Sequence, residues 1–314
     1  MTSTSSEPTV TFVVLTYNQE RYIENAIKSA FSQTYSPLEI LISDDCSTDK
    51  TFEIARRLVD EYEGPHLVRL NRNRKNLGIG GHISKISELA NGSWIFLAAG
   101  DDVSMPERTE HCMGIAGENP DIFAVACHFS LPPEYRTGGH TDNYTRKVSG
   151  RVTRSEMITF QLLAHSGNSM AYRSECFHWP NKFPSETWHE DRVLPFRAAL
   201  LGTCIVTDRL LVQVDGYDPE HRPADGVRIR KESRFNIVAC QACIDALKVA
   251  RKEQRIGPVA FGVLAVRLWA LKTTFWTEEQ AAIANTAVKT LALTGIRKLA
   301  SLAARGPSCF RQTH

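Results

Sequence analysis

The sequence has little that marks it for a membrane or for nucleic acid. Its 37 Lys and Arg residues against 35 Asp and Glu residues leave a net charge of +2, which argues against a chain that mainly coats nucleic acid. No apolar run reaches the roughly 18 residues that a transmembrane helix needs; Arg267 and Lys272 interrupt the best candidate, Phe261 to Trp276. The first residues lack the basic region and the following apolar region of a secretory signal, so no such signal is predicted. We therefore expect a cytoplasmic protein that binds no nucleic acid.

Several catalytic signatures are missing as well. The sequence contains no Gly-Lys-Ser/Thr phosphate loop and no Gly-x-Ser-x-Gly motif, and the Gly-rich run from Asn76 to Gly81 is not a dinucleotide fingerprint, since Ile83 stands where the last glycine is needed. Cys240 and Cys243 form one Cys-x-x-Cys without the second pair or the histidines of a zinc site. Hydride transfer and serine hydrolysis lose support, and the two cysteines are predicted to pack in a helix.

What is present is the composition of a folded α/β protein. Hydrophobic residues make up 42% and charged residues 23%, which excludes wholesale disorder. After a flexible N-terminus, residues 1–8, strand and helix patterns alternate, and this predicts a mostly parallel central sheet flanked by helices. Beyond the Gly- and Pro-rich segment 216–226 the pattern is helical only. We expect an α/β domain over residues 9–220 and an all-helical C-terminal extension over residues 221–314.

Two carboxylates, Asp101 and Asp102, follow Gly100 at the end of the apolar run Trp94–Ala99. Open α/β sheets bind ligands at the carboxyl ends of their strands. Paired carboxylates there suit Mg²⁺ or Mn²⁺ held jointly with substrate phosphates. A solvated turn that caps the next helix explains the same residues equally well.

Polar residues also follow two earlier predicted strands. Asp44 and Asp45 end the strand at 38–43, and their oxygens suit the N–H of a nucleobase or ribose hydroxyls. Thr16, Tyr17 and Asn18 end the first strand; the Tyr17 ring is placed to stack on a base and Asn18 to cap the following helix. Three strand ends therefore converge with groups suited to a nucleotide.

A third acidic pair, Glu190 and Asp191, precedes an apolar helical pattern that contains Pro195. Pro195 cannot donate a backbone hydrogen bond, so the helix is expected either to start there or to kink there. In both cases Asp191 is predicted near a helix N-terminus, where the dipole favours its ionised form. Such a carboxylate can act as a general base for a hydroxyl. An exposed acid that caps the helix is the more ordinary interpretation.

Together these segments resemble the family-two glycosyltransferases in order and spacing over about residues 9–215. The segments are Val-Val-Leu-Thr-Tyr-Asn at 13–18, Ser-Gln-Thr-Tyr-Ser at 32–36, Ser-Asp-Asp-Cys-Ser-Thr-Asp at 43–49, Asn-Leu-Gly at 76–78, Ala-Gly-Asp-Asp at 99–102 and Glu-Asp at 190–191. The resemblance implies a GT-A fold, a nucleotide-diphosphate-sugar donor with UDP favoured, a divalent metal (Mn²⁺ or Mg²⁺), and inversion at the anomeric carbon.

The resemblance also implies roles for individual residues. Leu15 and Tyr17 line the nucleotide site, Asp45 holds the base, Asp102 is the metal ligand, and Asp191 is the catalytic base with Glu190 beside it. Further contacts to the nucleotide sugar are expected from Thr16, Asn18, Asp44, Asn76, Gly78 and Asp101.

The sequence departs from the family pattern at two positions. Cys46 replaces a commoner Gly, and Gly81-His82-Ile83 replaces an Ala-Arg-Asn, which puts donor contacts near the diphosphate in doubt. His221 and Arg222 are candidates to close over the diphosphate. A solvated linker is the more ordinary interpretation of this segment.

Two other functions and the role of the C-terminus stay open. A sugar nucleotidyltransferase or a catalytically silent nucleotide-sugar-binding module are the rival interpretations. The acceptor is expected to be a glycan or a lipid-linked saccharide. Residues 294–314 form a basic amphipathic end that suits an anionic surface such as the inner face of a membrane. Packing of its apolar side on the α/β domain or on a second subunit of a homodimer is the more ordinary interpretation.

Overall fold

The first half of the chain folds as an alternation of strands and helices. A computed structural model describes residues 10–130, 149–152, 167–187, 190–216, 225–274, 276–277 and 280, without the side chains of 225–233. The predicted flexible N-terminus, the boundary at residue 220, His221 and Arg222, and the basic end at 294–314 lie outside these residues.

The described strands are β1 Val10–Thr16, β2 Glu39–Asp44, β3 Leu67–Arg72, β4 Trp94–Ala99, β5 Asp102–Ser104, β6 Ile122–Ser130, β7 Gly150–Val152, β8 Met170–Arg173 and β9 Thr203–Val214. The helices are α1 Ile23–Phe31, α2 Thr51–Asp60, α3 Gly78–Leu89, α4 Arg108–Glu118, α5 Glu175–His178, α6 Glu190–Leu201, α7 Asp225–Lys252 and α8, residues 258–274. A 3₁₀ turn, Gly167–Ser169, precedes β8.

One mixed sheet organises these elements. Its order is β3-β2-β1-β4-β8-β6-β9-β5, with β7 paired to β9. The strands β3, β2, β1 and β4 run parallel, whereas β8 is antiparallel to both β4 and β6. The predicted GT-A-type sheet flanked by helices is confirmed, and the second half of the sheet is more mixed than "mostly parallel" suggests.

Alternate residues of the parallel strands pack into separate cores on the two faces of the sheet. Phe12 and Phe96 face the core shared with α1, α2 and α4, while Val13 and Leu97 face the core shared with α3, α6 and α7. Burial on both faces explains why these strands are apolar runs rather than alternating patterns. It also places the carboxyl ends of β1, β2 and β4 at one edge between the layers.

Asn18 does not cap α1, contrary to the sequence prediction. The helix begins at Ile23 with Tyr22 in the N-cap position. Asn18 has a left-handed backbone (φ 53°), and its side-chain oxygen accepts a hydrogen bond from the Thr48 N–H at 2.8 Å. The segment after β1 therefore ties to the turn after β2, which fixes the spacing of these two strand ends.

The C-terminal extension packs on the α/β domain through α7. Cys240 and Cys243 are buried in that helix, so their predicted packing role is confirmed. Arg192 of α6 donates a hydrogen bond to Asn236 of α7. Within the described part of the chain, no helix is both long and apolar enough to cross a membrane.

Glu39 lies at the start of β2, at the end of the sheet opposite the cavity edge, where it connects neighbouring segments. Its negative charge should contribute to the stability of the fold. It accepts hydrogen bonds from Thr11, Arg69 and Asn91. Burial alone raises the pKa of Glu39, but these hydrogen bonds outweigh it and lower the pKa. We expect Glu39→Gln to lower the free energy of unfolding at pH 7 by about 2 kcal/mol, as for lost hydrogen bonds to a charged group, measured by urea denaturation.

A carboxyl with a lowered folded pKa stabilises above its unfolded pKa and loses this contribution as pH falls. The gap between the wild type and Glu39→Gln should therefore close as pH falls below about 4, near the ordinary Glu pKa. The control is Glu24→Gln, because Glu24 forms exposed ion pairs with Lys28 and Arg57 and should matter little. A gap that is the same at pH 7 and pH 3.5 would contradict the assigned role.

Candidate nucleotide-sugar site

The ends of three parallel strands meet beside a cavity of about 1150 Å³. The register aligns Thr16 with Asp44 across β1 and β2, and Leu15 with Ala99 across β1 and β4. The cavity opens at this edge, between the loops that leave the strands and the helices α3, α6 and α7. Its volume is somewhat above the roughly 300–1,000 Å³ typical of small-molecule pockets.

Most of the site residues expected from the sequence line this cavity: Leu15, Thr16, Tyr17, Asp45, Asn76, Gly78, Asp101 and Glu190. Asn18, Asp44, Asp102 and Asp191 are not among its lining residues. Each of these four adjoins a lining residue in sequence, so the strand ends and the start of α6 are brought together as expected.

Asp45 and Asp44 have different tasks. Asp45 accepts hydrogen bonds from the Leu77 N–H at 2.9 Å and from Asn73 Nδ2 at 2.8 Å, and its carboxylate borders the cavity. Asp44 accepts from the Ser47 N–H at 3.0 Å and lies 3.4 Å from Arg72 Nε, so it holds the turn. Asp45 is thus the carboxylate of this pair that can contact a ligand directly.

His82 occupies the position where the family resemblance implies an arginine. Its Nε2 lies 2.8 Å from Ser43 Oγ, and that hydroxyl accepts a hydrogen bond from Asn71 Nδ2 at 2.9 Å. Burial lowers the pKa of His82, against the opposing charges of Asp45 and Asp44. The imidazole is therefore neutral at pH 7, and this part of the wall lacks the positive charge an arginine would bring.

Asp101 and Asp102 sit where β4 opens into β5. Burial raises the pKa of Asp101, while burial and the charge of Asp101 raise that of Asp102 to about 7. Asn168 donates a hydrogen bond to Asp102, and the other polar atom of its amide, Oδ1, is buried without a partner. Both carboxyls carry a desolvation cost that a cation would relieve.

This donor set fits a divalent metal held jointly with a ligand. The described residues contain no cluster of three or more His, Cys, Asp or Glu able to cage a metal alone. Mg²⁺ in nucleotide sites is typically bound by one or two carboxylates plus phosphate oxygens. Asp102 with Asp101 beside it supplies the carboxylates, and the unsatisfied Asn168 oxygen is a further oxygen close by.

Glu190 and Asp191 begin α6 as predicted. Burial and the charge of Asp191 raise the pKa of Glu190 to about 8, whereas burial, opposed by Arg192, raises that of Asp191 to about 6. The two adjacent carboxyls titrate as one unit, and Arg192 favours the ionised form of Asp191. Raised carboxyl pKa values in a cleft are typical of acid–base sites.

Other lining residues were not identified from the sequence. Gln19 lies beside the Thr-Tyr-Asn segment, and Asn168 falls in a loop without a motif. The C-terminal helix α7 adds Arg234, Phe235 and Val238 to the wall. No sequence signal pointed to these three residues, because they lie about 40 residues beyond the last motif and only packing brings them to the strand ends.

A mixed sheet of this order with a cavity at its carboxyl edge is the arrangement expected of the GT-A fold. The model of Glycosyl transferase family 2 matches residues 11–179, more than half of the 314 residues. The chain belongs to this family, and the family predicted from the sequence motifs is confirmed.

Curated relatives and solved structures agree with this family. Segments are 37% identical over 106 residues to the succinoglycan biosynthesis protein ExoO of Rhizobium meliloti (32% of this chain, 28% of that protein) and 35% identical over 160 residues to chondroitin synthase of Escherichia coli (50% and 22%). The matches thus span about a quarter of these relatives' lengths.

Two solved structures share the fold at low sequence identity. S. aureus TarS 1–349 in complex with UDP-GlcNAc aligns with a TM-score of 0.64 at 17% identity, covering 85% of this chain and 73% of that one. The mannosyltransferase PcManGT of Pyrobaculum calidifontis, in complex with GDP-Man and Mn²⁺, aligns with a TM-score of 0.57 at 19% identity, covering 96% and 82%. The GT-A fold is therefore shared.

Gly100 sets the path of the backbone into the acidic pair, and its substitution should disable the site. A Cβ at this position would lie 2.5 Å from Gln19 Oε1 and 2.7 Å from Thr16 Oγ1. We expect Gly100→Ala to displace Asp101 and to weaken binding of UDP and GDP with Mn²⁺ by tenfold or more, about 1.4 kcal/mol, measured by calorimetry.

The control is Gly114→Ala in α4, where a Cβ meets no atom within 4 Å. Replacing Gly by Ala inside a helix favours folding by about 0.5–1 kcal/mol, so this variant should keep its nucleotide affinity and gain stability. Equal nucleotide affinity in both variants would show that the close contact at Gly100 is unimportant.

Proposed function

We propose that this chain is an inverting glycosyltransferase that moves a sugar from a nucleotide-diphosphate-sugar donor to a hydroxyl of a glycan or lipid-linked saccharide. The observation that carries the proposal is that one cavity brings together Asp45, Asp101 and Glu190, from three separate parts of the chain. Membership of Glycosyl transferase family 2 supports the reaction type.

The nucleotide would bind at the edge formed by β1, β2 and the start of α3. Asp45, fixed by the Leu77 N–H and Asn73, is positioned to accept an N–H from a base. Tyr17, 43% exposed at the rim, offers a ring for stacking. UDP is the favoured nucleotide; the shared fold of structures that bind UDP-GlcNAc and GDP-Man supports the donor class.

The diphosphate would lie at the end of β4. Asp102, oriented by Asn168, would hold Mn²⁺ or Mg²⁺ together with the phosphate oxygens, with Asp101 facing the donor. Such a metal neutralises negative charge that develops on the leaving diphosphate. The raised pKa values of the two carboxyls are those expected of cation ligands in the absence of the cation.

Asp191 would act as the base, with Glu190 beside it. Because the charge of Arg192 favours the ionised form of Asp191, Asp191 is the member proposed to take a proton from the acceptor hydroxyl. The acceptor oxygen then bonds to the anomeric carbon as the bond from that carbon to the diphosphate breaks on the opposite face. The configuration inverts, and no protein nucleophile is required.

The rival functions predict different products. A sugar nucleotidyltransferase would release pyrophosphate from a nucleoside triphosphate and a sugar phosphate; this site instead places Tyr17, Asn18 and Gln19 where a phosphate loop is expected. A silent binding module would bind donor without turnover. Release of nucleoside diphosphate from a donor panel with Mn²⁺ therefore tests the proposal.

Removing the base should abolish transfer. We expect Asp191→Asn to lower kcat/KM by at least about 100-fold, the usual range for a general base. The measurement is nucleoside diphosphate release, and Asp60→Asn, an exposed aspartate at the end of α2, is the control. Unchanged turnover in Asp191→Asn would remove Asp191 from the mechanism.

The pH dependence separates the two members of the pair. Since the base must be ionised, kcat/KM should fall as pH drops through about 6, the pKa of Asp191. Glu190→Gln mimics the protonated Glu190 carboxyl, so that variant should retain this acidic limb even though its rate falls. If the limb disappears in Glu190→Gln, the base is Glu190 instead.

The C-terminal helices would place the enzyme near its acceptor. The outer face of α8 exposes large apolar side chains, namely Val259, Val263, Val266 and Trp269, at 79%, 48%, 67% and 65%. With the basic segment 294–314, this face suits the surface of an anionic membrane, where a lipid-linked acceptor would lie. A homodimer covering the same face is the alternative. A cytoplasmic location, peripheral to the inner face, belongs to the same proposal.

Flotation with vesicles tests the membrane contact. The full chain should float with vesicles of phosphatidylglycerol but not of phosphatidylcholine, and Val263→Asp with Val266→Asp should abolish flotation. Leu67→Asp, at a 63% exposed leucine of β3, is the matched control. A full chain that never floats, and whose dimer dissociates in the double variant, supports the homodimer instead.

A further inference from the structure

The wall of the cavity is acidic with one fixed positive charge. Among the described lining residues, Asp45, Asp101, Glu186 and Glu190 are acidic, and Arg234 is the permanently charged cation. His82 does not add to it, because burial lowers its pKa. A ligand that occupies the cavity therefore meets a single guanidinium.

The Arg234 side chain has no role in holding the described part of the fold together. It is exposed, and no hydrogen bond or ion pair joins it to the rest of the described chain. Arg197 shows the contrast, since it is buried and donates to the Cys176, Phe177 and Asn181 carbonyls. A guanidinium without an internal partner, facing a cavity, is available to a ligand.

Its position associates Arg234 with the acceptor rather than with the nucleotide. The nucleobase edge is built by β2 and α3, through Asp45 and Leu77. Arg234 comes from α7, which packs on α6, the helix that starts with Glu190 and Asp191. The hydrogen bond between Arg192 and Asn236 joins the two helices at this point. An acceptor hydroxyl within reach of the base must therefore lie near this wall.

Phe235 supplies an apolar surface beside the charge. It lines the same cavity and is half-buried. Sites for polar ligands combine apolar or aromatic walls with a few charged groups that fix orientation. The guanidinium presents paired N–H donors that match the two oxygens of a carboxylate or of a phosphate.

We propose that Arg234 and Phe235 form an acceptor subsite for an anionic saccharide, whose carboxylate or phosphate pairs with the guanidinium. The proposal rests on the glycosyltransferase function proposed above. In the proposed function a metal held at Asp101 and Asp102 would neutralise the donor diphosphate, which leaves this arginine for the second substrate. Residues 234 and 235 lie beyond the segment matched to the family, 11–179, so this subsite is specific to the C-terminal part of this chain.

Binding of three small probes to the full chain tests the subsite without knowledge of the natural acceptor. The probes are methyl glucuronide, glucose 6-phosphate and methyl glucoside, titrated by NMR in the presence of UDP and Mn²⁺. We expect at least one charged probe to bind tenfold or more tightly than methyl glucoside. The stronger of the two charged probes identifies carboxylate or phosphate as the recognised group.

Arg234→Gln should remove this preference, and Arg267→Gln, at an exposed arginine of α8, should keep it. Equal binding of all three probes to the wild type overturns the subsite. So does an equal loss of UDP affinity and charged-probe affinity in Arg234→Gln, because it would assign the arginine to the diphosphate. Absence of nucleoside diphosphate release with intact probe selectivity would instead defeat only the proposed reaction.

Discussion

Desolvation of carboxylates at one edge of the sheet is the constraint on which the site depends. Parallel strands that are buried on both faces end together, and the carboxylates at the ends of β2 and β4, such as Asp45 and Asp102, are withdrawn from water. Asp45 is compensated there by the Leu77 N–H and Asn73. Asp101 and Asp102 have little compensation within the described chain, and their pKa values rise accordingly. The fold keeps these desolvated carboxylates at a cost in stability, as functional sites commonly do.

The position of a residue can be predicted from the sequence when its contacts are made with residues nearby in the chain. The strands β1 and β4 could be predicted to their end residues, because continuous apolar runs followed by polar residues are a local signal. The same signal located Asp45 and Asp101, and the start of an apolar helical pattern located Glu190. Asn18 shows the limit, since its hydrogen bond goes to Thr48 of a different loop. No local pattern distinguishes that contact from a helix cap.

Packing between distant segments explains the rest. The cavity wall includes residues of α7, because apolar side chains such as Ala239 and Leu247 pack it on the same sheet face as α3 and α6. A helix chosen for its apolar stripe thereby carries its polar neighbours to the strand ends. Neither the charge nor the periodicity of the sequence predicts which of those neighbours reach the cavity. The predicted boundary between an α/β domain and a helical extension therefore does not show that both parts line one cavity.

The same packing relates one departure from the family pattern, His82, to the charge of the cavity wall. A neutral His82 in α3 leaves its side of the cavity without a permanent cation, and its bond to Ser43 ties the ring into the polar network beneath Asp45. The permanent cation of the described wall instead stands on α7, at Arg234. A charge carried by a helix outside the core of the fold can change without disturbing the strand ends. In the proposed function, nucleotide recognition and recognition of the second substrate would therefore rest on different elements, and one could vary while the other is kept.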